Sequence, residues 1–281
     1  MKINLAKSRG FCFGVKRALD IAIQTAGSTP GAYMLGDIVH NDDVVNSVKK
    51  LGIKKISRLL SGKDKILLIR AHGSCRRIIE KAKKLGYKIV DATCPMVKEI
   101  HKIAKEMEDK GCRIIVIGDR KHDEVHSIVG QLKGKAIVID SIKNMPLEKI
   151  KKIDKACVVV QSTQNLEKVL KIVAVLKRNI KDLKFFNTIC LPTRTKQEEI
   201  KTMPRENDVM IIIGSKQSAN TRRLFEISKT LNKHSYWVSS KDEIKSNWFK
   251  DAKSAGITAG ASTPDSTTQD VVKHIKQITS I

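Results

Sequence analysis

Three cysteines are spaced as if each opened a copy of one pattern. Counting from Cys12, Cys94 and Cys190, a glycine follows 24 residues later in every case: Gly36, Gly118 and Gly214. Four residues beyond stand His40, His122 and Ser218. Each glycine closes an apolar run, AYML, RIIVI or VMIII. A second apolar run then ends in a polar cluster: Ala71-His72-Gly73, Gln161-Ser162-Thr163 and Ala259-Gly260-Ala261-Ser262. These clusters lie 60, 68 and 72 residues after the respective cysteine.

Three widely separated thiols suggest a limited chemistry. A structural zinc normally takes four ligands in short-spaced pairs, and no two of the six cysteines lie within ten residues of each other. An iron–sulfur cluster with one iron lacking a protein thiolate suits the spacing better, because that iron is open to substrate. Three buried cysteines without a metal are the remaining alternative. The flanks favour ligands. Gly10 and Gly14 bracket Cys12, while Cys94 precedes Pro95 and Cys190 precedes Leu191-Pro192. Proline suits the first turn of a helix, and a helix N-terminus stabilises a thiolate. Cys112 and Cys157 sit at or within apolar runs and read as small buried hydrophobes.

The polar residues at the ends of the runs suit an anion. His40, His72, His122, Ser218, Asn220 and Ser262 are small or imidazole donors, and such groups bind phosphate together with helix N-terminal amides. His101, His234 and His274 fall outside the pattern and read as structural. Glu124, two residues after His122, is either a proton donor in a closed cavity or an exposed carboxylate at a helix start.

The elements that must position these residues alternate. Strands are expected at 65–73, 113–119, 155–163 and 208–215, and helices at 14–26, 95–111 and 166–179. Alternation of this kind predicts an α/β fold with parallel sheets and crossover helices. The echo predicts three related α/β units, 1–93, 94–189 and 190–281, packed about a pseudo-threefold axis. The loops after the strand ends, where open parallel sheets bind ligands, are then expected to face one cavity.

Composition narrows the function. The chain has 281 residues, 41% of them hydrophobic and 30% charged, and no apolar run approaches the roughly 20 residues of a membrane helix. The first residues lack the apolar core of a signal peptide. The expected location is the cytoplasm, or a plastid if a transit peptide preceded residue 1. The formal charge of +25 suits nucleic acid, an anionic substrate or an acidic partner, and is equally what a lysine-rich compositional drift produces. Aromatics at 4% are too few for a stacking platform on single strands. Neither nucleic acid nor membrane is therefore an expected partner.

Several of these segments occur together, in the same order, in one known family. RGFCFGVKRA at 9–18, VHN at 39–41, AHG at 71–73, DATCP at 91–95, HDEV at 122–125, QST at 161–163, GSKQSANT at 214–221 and TAGASTPD at 258–265 resemble the LytB/IspH family of allylic diphosphate reductases. The resemblance implies a trefoil of three α/β domains around one 4Fe-4S cluster per chain, held by Cys12, Cys94 and Cys190. It implies reductive removal of an allylic hydroxyl from 4-hydroxy-3-methylbut-2-enyl diphosphate, giving isopentenyl and dimethylallyl diphosphates. His40, His72, His122, Ser218, Asn220 and Ser262 would surround the diphosphate. Glu124 would deliver protons, with Ser162 and Thr163 near the substrate hydroxyl. The sequence departs from the family where Ala219 replaces a serine and Ser162 a threonine. No G-x-G-x-x-G segment follows a strand, so electrons are expected singly from a ferredoxin- or flavodoxin-type protein.

Overall fold

The computed structural model describes residues 1–28 and 31–279. Strands and helices alternate along the chain. The first third holds β1 (Lys2–Leu5), α1 (Phe13–Ser28), β2 (Ala32–Leu35), α2 (Asp42–Lys50), β3 (Lys54–Ile56), β4 (Ile66–Ile69), α3 (Arg76–Lys84) and β5 (Lys88–Asp91). The middle holds α4 (Pro95–Asp109), β6 (Arg113–Ile117), α5 (Asp123–Val129), β7 (Ile137–Ile139), α6 (Leu147–Ile150), β8 (Lys155–Val160), α7 (Leu166–Asn179) and β9 (Asp182–Phe185). The last third holds α8 (Leu191–Glu206), β10 (Val209–Ile213), α9 (Ala219–Leu231), β11 (Ser235–Val238), β12 (Ser254–Ala259) and α10 (Asp265–Thr279).

The chain forms two compact units. One is Met1–Lys16, Val39–Ser47 and Leu191–Ile281; the other is Arg17–Ile38 and Val48–Cys190. The second unit carries two four-stranded sheets, ordered β3-β2-β4-β5 and β7-β6-β8-β9. The first unit carries one, ordered β11-β10-β12-β1. Every pairing is parallel, as the alternation of elements predicts.

The three sheets share one strand order. In each, the strand ending near the conserved-spacing glycine (β2, β6 or β10) lies between an edge strand and the strand that ends in the second polar cluster (β4, β8 or β12). The fourth place is taken by β5, β9 or β1. The chain's first strand thus completes the sheet of its last third, with Lys2 opposite Ser254 and Leu5 opposite Ile257. Each cysteine follows a fourth-place strand and directly precedes a helix: β5 to Cys94 to α4, β9 to Cys190 to α8, β1 to Cys12 to α1.

The central strands read as continuous apolar runs because helices cover both faces. Ile115, Ile117, Val158 and Val160 point to one core, with Val169, Ile172 and Leu176 of α7. Ile114, Val116, Cys157 and Val159 point to the other, with Ile100 and Ala104 of α4 and Val125 and Ile128 of α5. This is the two-residue period of a strand. In the first unit, Val209, Ile211 and Ile213 face Val271 and Ile275 of α10, while Met210 and Ile212 face Ile200 of α8 and Leu224 of α9. No helix among the described residues is long and apolar enough to cross a membrane.

Candidate active site

One backbone hydrogen bond recurs at all three cysteines. Cys12 N–H donates to Ala261 O at 3.1 Å, Cys94 N–H to Ala71 O at 3.0 Å, and Cys190 N–H to Ser162 O at 3.1 Å. Each acceptor lies in the polar cluster that ends the neighbouring strand. The clusters themselves turn alike, with N–H to C=O bonds from Gly73 to Arg70, Gln164 to Gln161 and Thr263 to Gly260. These bonds give the three sheets a common register: Ala71, Ser162 and Ala261 are counterparts, and so are His72, Thr163 and Ser262. Sequence spacing had paired Ser162 with His72 and Ser262; the backbone places Thr163 there. None of the six cysteines forms a disulfide. Cys12, Cys94 and Cys190 are half-buried, whereas Cys112 and Cys157 are buried, and burial pushes the Cys157 thiol up to about 12.

In the second unit the ends of β6 and β8 bring Glu124 and Ser162 together. Both strands are central, and the chain leaves them toward opposite edges, which opens a crevice at their carboxyl ends. His122 caps α5: its Nδ1 accepts the Glu124 backbone N–H at 3.1 Å, which leaves the ring hydrogen of neutral His122 on Nε2. Glu124 is therefore not an exposed cap; it is 2% exposed. Its Oε1 accepts Ser162 N–H at 2.6 Å, and its Oε2 lies 2.8 Å from Ser162 Oγ. Burial raises its pKa to about 7, against the two Ser162 hydrogen bonds, and the charge of Asp119 raises it further. The His72 and His122 rings meet edge to face, centroids 5.3 Å apart. Thr163 Oγ1 accepts from Gln161 Nε2 at 3.0 Å, and Gln161 Oε1 accepts Asp119 N–H at 2.9 Å.

Behind this site His101 packs against α5. Its Nε2 is 3.0 Å from Ser127 Oγ, which lies 2.6 Å from His72 O and 2.9 Å from Glu124 O. The serine thus ties the His72 loop to the first turn of α5. Burial lowers the His101 pKa to about 4, so the ring is neutral near pH 7.

In the first unit the corresponding loops carry His40, Ser218, Asn220 and Ser262. Ser218 caps α9 by accepting Thr221 N–H. Ser262 Oγ donates to His40 O at 3.3 Å. Asn220 is 4% exposed, and neither its Oδ1 nor its Nδ2 has a hydrogen-bond partner. A buried amide left unsatisfied costs about 1–3 kcal/mol, so this amide fits a polar ligand. Ala219 beside it is buried.

Lys196 is a residue that sequence reasoning missed. It lies within α8 in the segment RTKQEEI, whose charged residues suggest an exposed helical face. It is instead 3% exposed. Its Nζ donates to Ser8 O, to Gly10 O at 3.3 Å and to Ala259 O at 3.2 Å, gripping the loop that carries Cys12 and the end of β12. Burial lowers its pKa to about 8; the charges that favour its ammonium are Cys12 first, then Glu199 and Asp265. Glu199 in turn accepts Ser8 N–H at 3.0 Å.

Each of the three cysteines is half-buried, is pinned by the same kind of backbone bond and stands at the start of a helix, and thiolates are the ligands that iron–sulfur groups take from proteins. The first turns of α1, α4 and α8 contain no acid that would repel an anionic cluster.

Known proteins resemble this chain along nearly its whole length. A family model described as LytB protein matches residues 3–276. The 4-hydroxy-3-methylbut-2-enyl diphosphate reductase of Campylobacter concisus is 39% identical over 280 residues, covering 99% of this chain and 100% of its own. That of Aquifex aeolicus is 38% identical over 280 residues, covering 98% and 96%. A solved structure of (E)-4-hydroxy-3-methyl-but-2-enyl diphosphate reductase, called the terminal enzyme of the non-mevalonate pathway, is similar with a TM-score of 0.72 at 38% identity, covering 99% of this chain and 100% of that one. The Plasmodium falciparum E-1-hydroxy-2-methyl-but-2-enyl-4-diphosphate reductase is similar with a TM-score of 0.89 at 28% identity, covering 98% and 88%. Matched by this family model over residues 3–276 and by these relatives over nearly its whole length, the chain belongs to the LytB family.

Proposed function

We infer that this chain carries out the reaction its relatives are named for. It is an oxidoreductase that removes the allylic hydroxyl of 4-hydroxy-3-methylbut-2-enyl diphosphate. Two electrons and two protons enter, the C–O bond breaks, the oxygen leaves as water, and isopentenyl or dimethylallyl diphosphate is formed. This is the last step of the non-mevalonate isoprenoid pathway.

The observation that carries the reading is the backbone bond shared by Cys12, Cys94 and Cys190. It treats three distant thiols as one set, and the reading assigns them as the ligands of one 4Fe-4S cluster per chain. It keeps the units 1–93, 94–189 and 190–281, with β1 completing the third. When bound, such a cluster supplies electrons one at a time and an iron open to the substrate oxygen.

The chain's own residues bind and protonate. His40, His72, His122, Ser218, Asn220 and Ser262 hold the diphosphate through hydrogen-bond donors, and the Asn220 amide gains the partner that it lacks in the protein alone. With Nδ1 accepting the Glu124 N–H, the His122 ring offers Nε2–H. Glu124 holds a proton on Oε2, because Oε1 already accepts from Ser162 N–H. Ser162 Oγ, 2.8 Å from Oε2, accepts that proton's hydrogen bond and turns its own hydrogen outward, so carboxyl and hydroxyl form a two-step relay. Once the proton has left, both Ser162 groups stabilise the carboxylate. Thr163, the counterpart of His72 and Ser262, lies beside this relay. The electron donor is a ferredoxin- or flavodoxin-type protein.

The test is a cysteine series prepared without oxygen. Cys12→Ser, Cys94→Ser and Cys190→Ser are expected to lose the brown cluster, its iron and sulfide, and turnover. Cys75→Ala, Cys112→Ala and Cys157→Ala are expected to keep all of these and lose about 1–3 kcal/mol of stability where buried. Full iron and sulfide in the Cys94 variant would overturn the reading.

A further inference from the structure

The helices that follow Cys12, Cys94 and Cys190 differ at one buried place. Six residues after the cysteine, α1 carries Ala18 and α4 carries Ile100, which are 0% and 1% exposed. The same place on α8 is Lys196, 3% exposed. Two of the repeats thus fill an inward position with an apolar side chain, and the third fills it with a cation. Lysine is almost never fully buried unless it is paired, because a charge is costly to take out of water.

The surroundings of Lys196 suit an ammonium. Nζ donates to three backbone carbonyl oxygens, those of Ser8, Gly10 and Ala259. A carbonyl only accepts, and an ammonium has three N–H donors. The charged form meets all three oxygens, and a neutral amine, one hydrogen short, leaves one unmet. All three acceptors are uncharged, so they solvate the positive charge without cancelling it. Glu199, one turn further along α8, binds the same loop through the Ser8 N–H and hydroxyl. The charges that favour the ammonium are Cys12 first, then Glu199 and Asp265, and Arg9 opposes it. Ser8, Gly10, Cys12, Lys196, Glu199 and Ala259 all belong to one compact unit. The grip also ties Ser8 and Gly10 to the end of β12, close in the chain to Ala261, which accepts the Cys12 N–H.

We propose that Lys196 is a positioning residue for Cys12 whose fixed positive charge also raises the electron affinity of the group that Cys12 ligates. The proposal rests on the reading that this group is an iron–sulfur cluster. Net charge and hydrogen bonding set the potential of such clusters. An added electron makes the group more negative, and a cation held out of water nearby favours that state. Glu199, half-buried on the same helix, acts with the opposite sign and more weakly, since solvent screens it better.

The experiment loads the parent, Lys196→Met, Lys196→Arg and Glu199→Gln with iron and sulfide without oxygen. Iron and sulfide content is measured, and the midpoint potential is read from an optical redox titration. Lys196→Met keeps the stem and loses the charge. It is expected to take up an electron roughly tenfold less readily, a shift of about 59 mV to more negative potential. Lys196→Arg keeps the charge and is expected to hold the cluster and to stay within about threefold of the parent. Glu199→Gln is expected to shift by roughly twofold the other way, to more positive potential. An unchanged potential in Lys196→Met would overturn the proposal. So would a shift to more negative potential in Glu199→Gln, because a loop merely loosened by either change gives no reversal of sign. If Lys196→Met retains no cluster, the other two variants decide. A positive shift in Glu199→Gln with the cluster kept in Lys196→Arg then upholds the proposal, and no shift in Glu199→Gln overturns it. A parent that takes up neither iron nor sulfide would instead overturn the reading of Cys12 as a ligand on which the proposal stands.

Discussion

A carboxyl with a pKa near neutrality exists here because Glu124 is buried against the end of β8, and Ser162 gives it two hydrogen bonds that only partly repay the loss of water. Glu124→Gln keeps its size and hydrogen bonding but cannot release a proton. Turnover is expected to fall by roughly 10² or more while substrate still perturbs the cluster spectrum; normal turnover would remove Glu124 from the relay. Stability gives a second readout. Between the ordinary glutamate value and about 7, the folded chain binds more protons at Glu124 than the unfolded chain does. That contribution is present at low pH and is lost as pH rises through about 7. His101 acts oppositely: its folded value near 4 lies below the ordinary 6.5, so its contribution is lost as pH falls from 6.5 toward 4. In the parent the two oppose each other; in Glu124→Gln only His101 remains. The variant's urea midpoint should therefore fall more steeply than the parent's as pH is lowered from about 6.5 to 4.5, and parallel curves would contradict a raised Glu124. Ser162 was legible because the spacing of its cluster repeats, whereas Glu124 stood out only as the neighbour of His122, and the choice of a proton role for it came from the family resemblance. Lys196 was not, because nothing in its charged neighbourhood announces that its ammonium is turned inward onto backbone carbonyls.

The loops that deliver the cysteines depend on tight backbone turns, and the loop between β1 and α1 is the most demanding. Gly10 has φ +82°, and a Cβ there would lie 2.5 Å from Asp265 Oδ1 at the start of α10. Gly111, just beyond α4, has φ +78° with nothing within 4 Å of such a Cβ. Both Gly→Ala changes incur the left-handed backbone cost of roughly 1–2 kcal/mol, but only Gly10→Ala must also push Asp265 away and shift the Cys12 loop. Gly10→Ala is expected to lose iron and sulfide as well as stability, and Gly111→Ala to lose stability alone. Equal iron content in the two variants would show that this turn does not place Cys12. The elements themselves were largely readable: the expected strands at 113–119 and 155–163 contain β6 and β8, and the expected helix at 166–179 coincides with α7. What escaped was pairing. KINL at the N-terminus is too short to announce its sheet, and its partner β12 lies some 250 residues away, as Lys2 opposite Ser254. The exchange of Thr163 for Ser162 as counterpart of His72 is likewise set by a backbone bond to Cys190, which side-chain types do not reveal.

At the scale of the molecule, the charge of +25 has no use within the folded chain, since like charges repel one another and destabilise the compact state. Some of the excess is paired locally, as Lys55 is with Asp37 and Lys98 with Asp91. A substrate diphosphate carries only a few negative charges, so it cannot be what the whole surface answers to. An acidic electron donor can be, because a broad positive field raises the encounter rate with an oppositely charged protein. Such steering is screened over about 8–10 Å at 0.1–0.15 M salt. Turnover with an acidic protein donor should therefore fall steeply as ionic strength rises from about 0.02 to 0.3 M. Salt also weakens diphosphate binding, but that loss applies whichever reductant is used. Turnover with a small, weakly charged chemical reductant thus isolates it and should fall much less. Equal salt sensitivity with the two reductants would mean that the lysine excess is compositional drift.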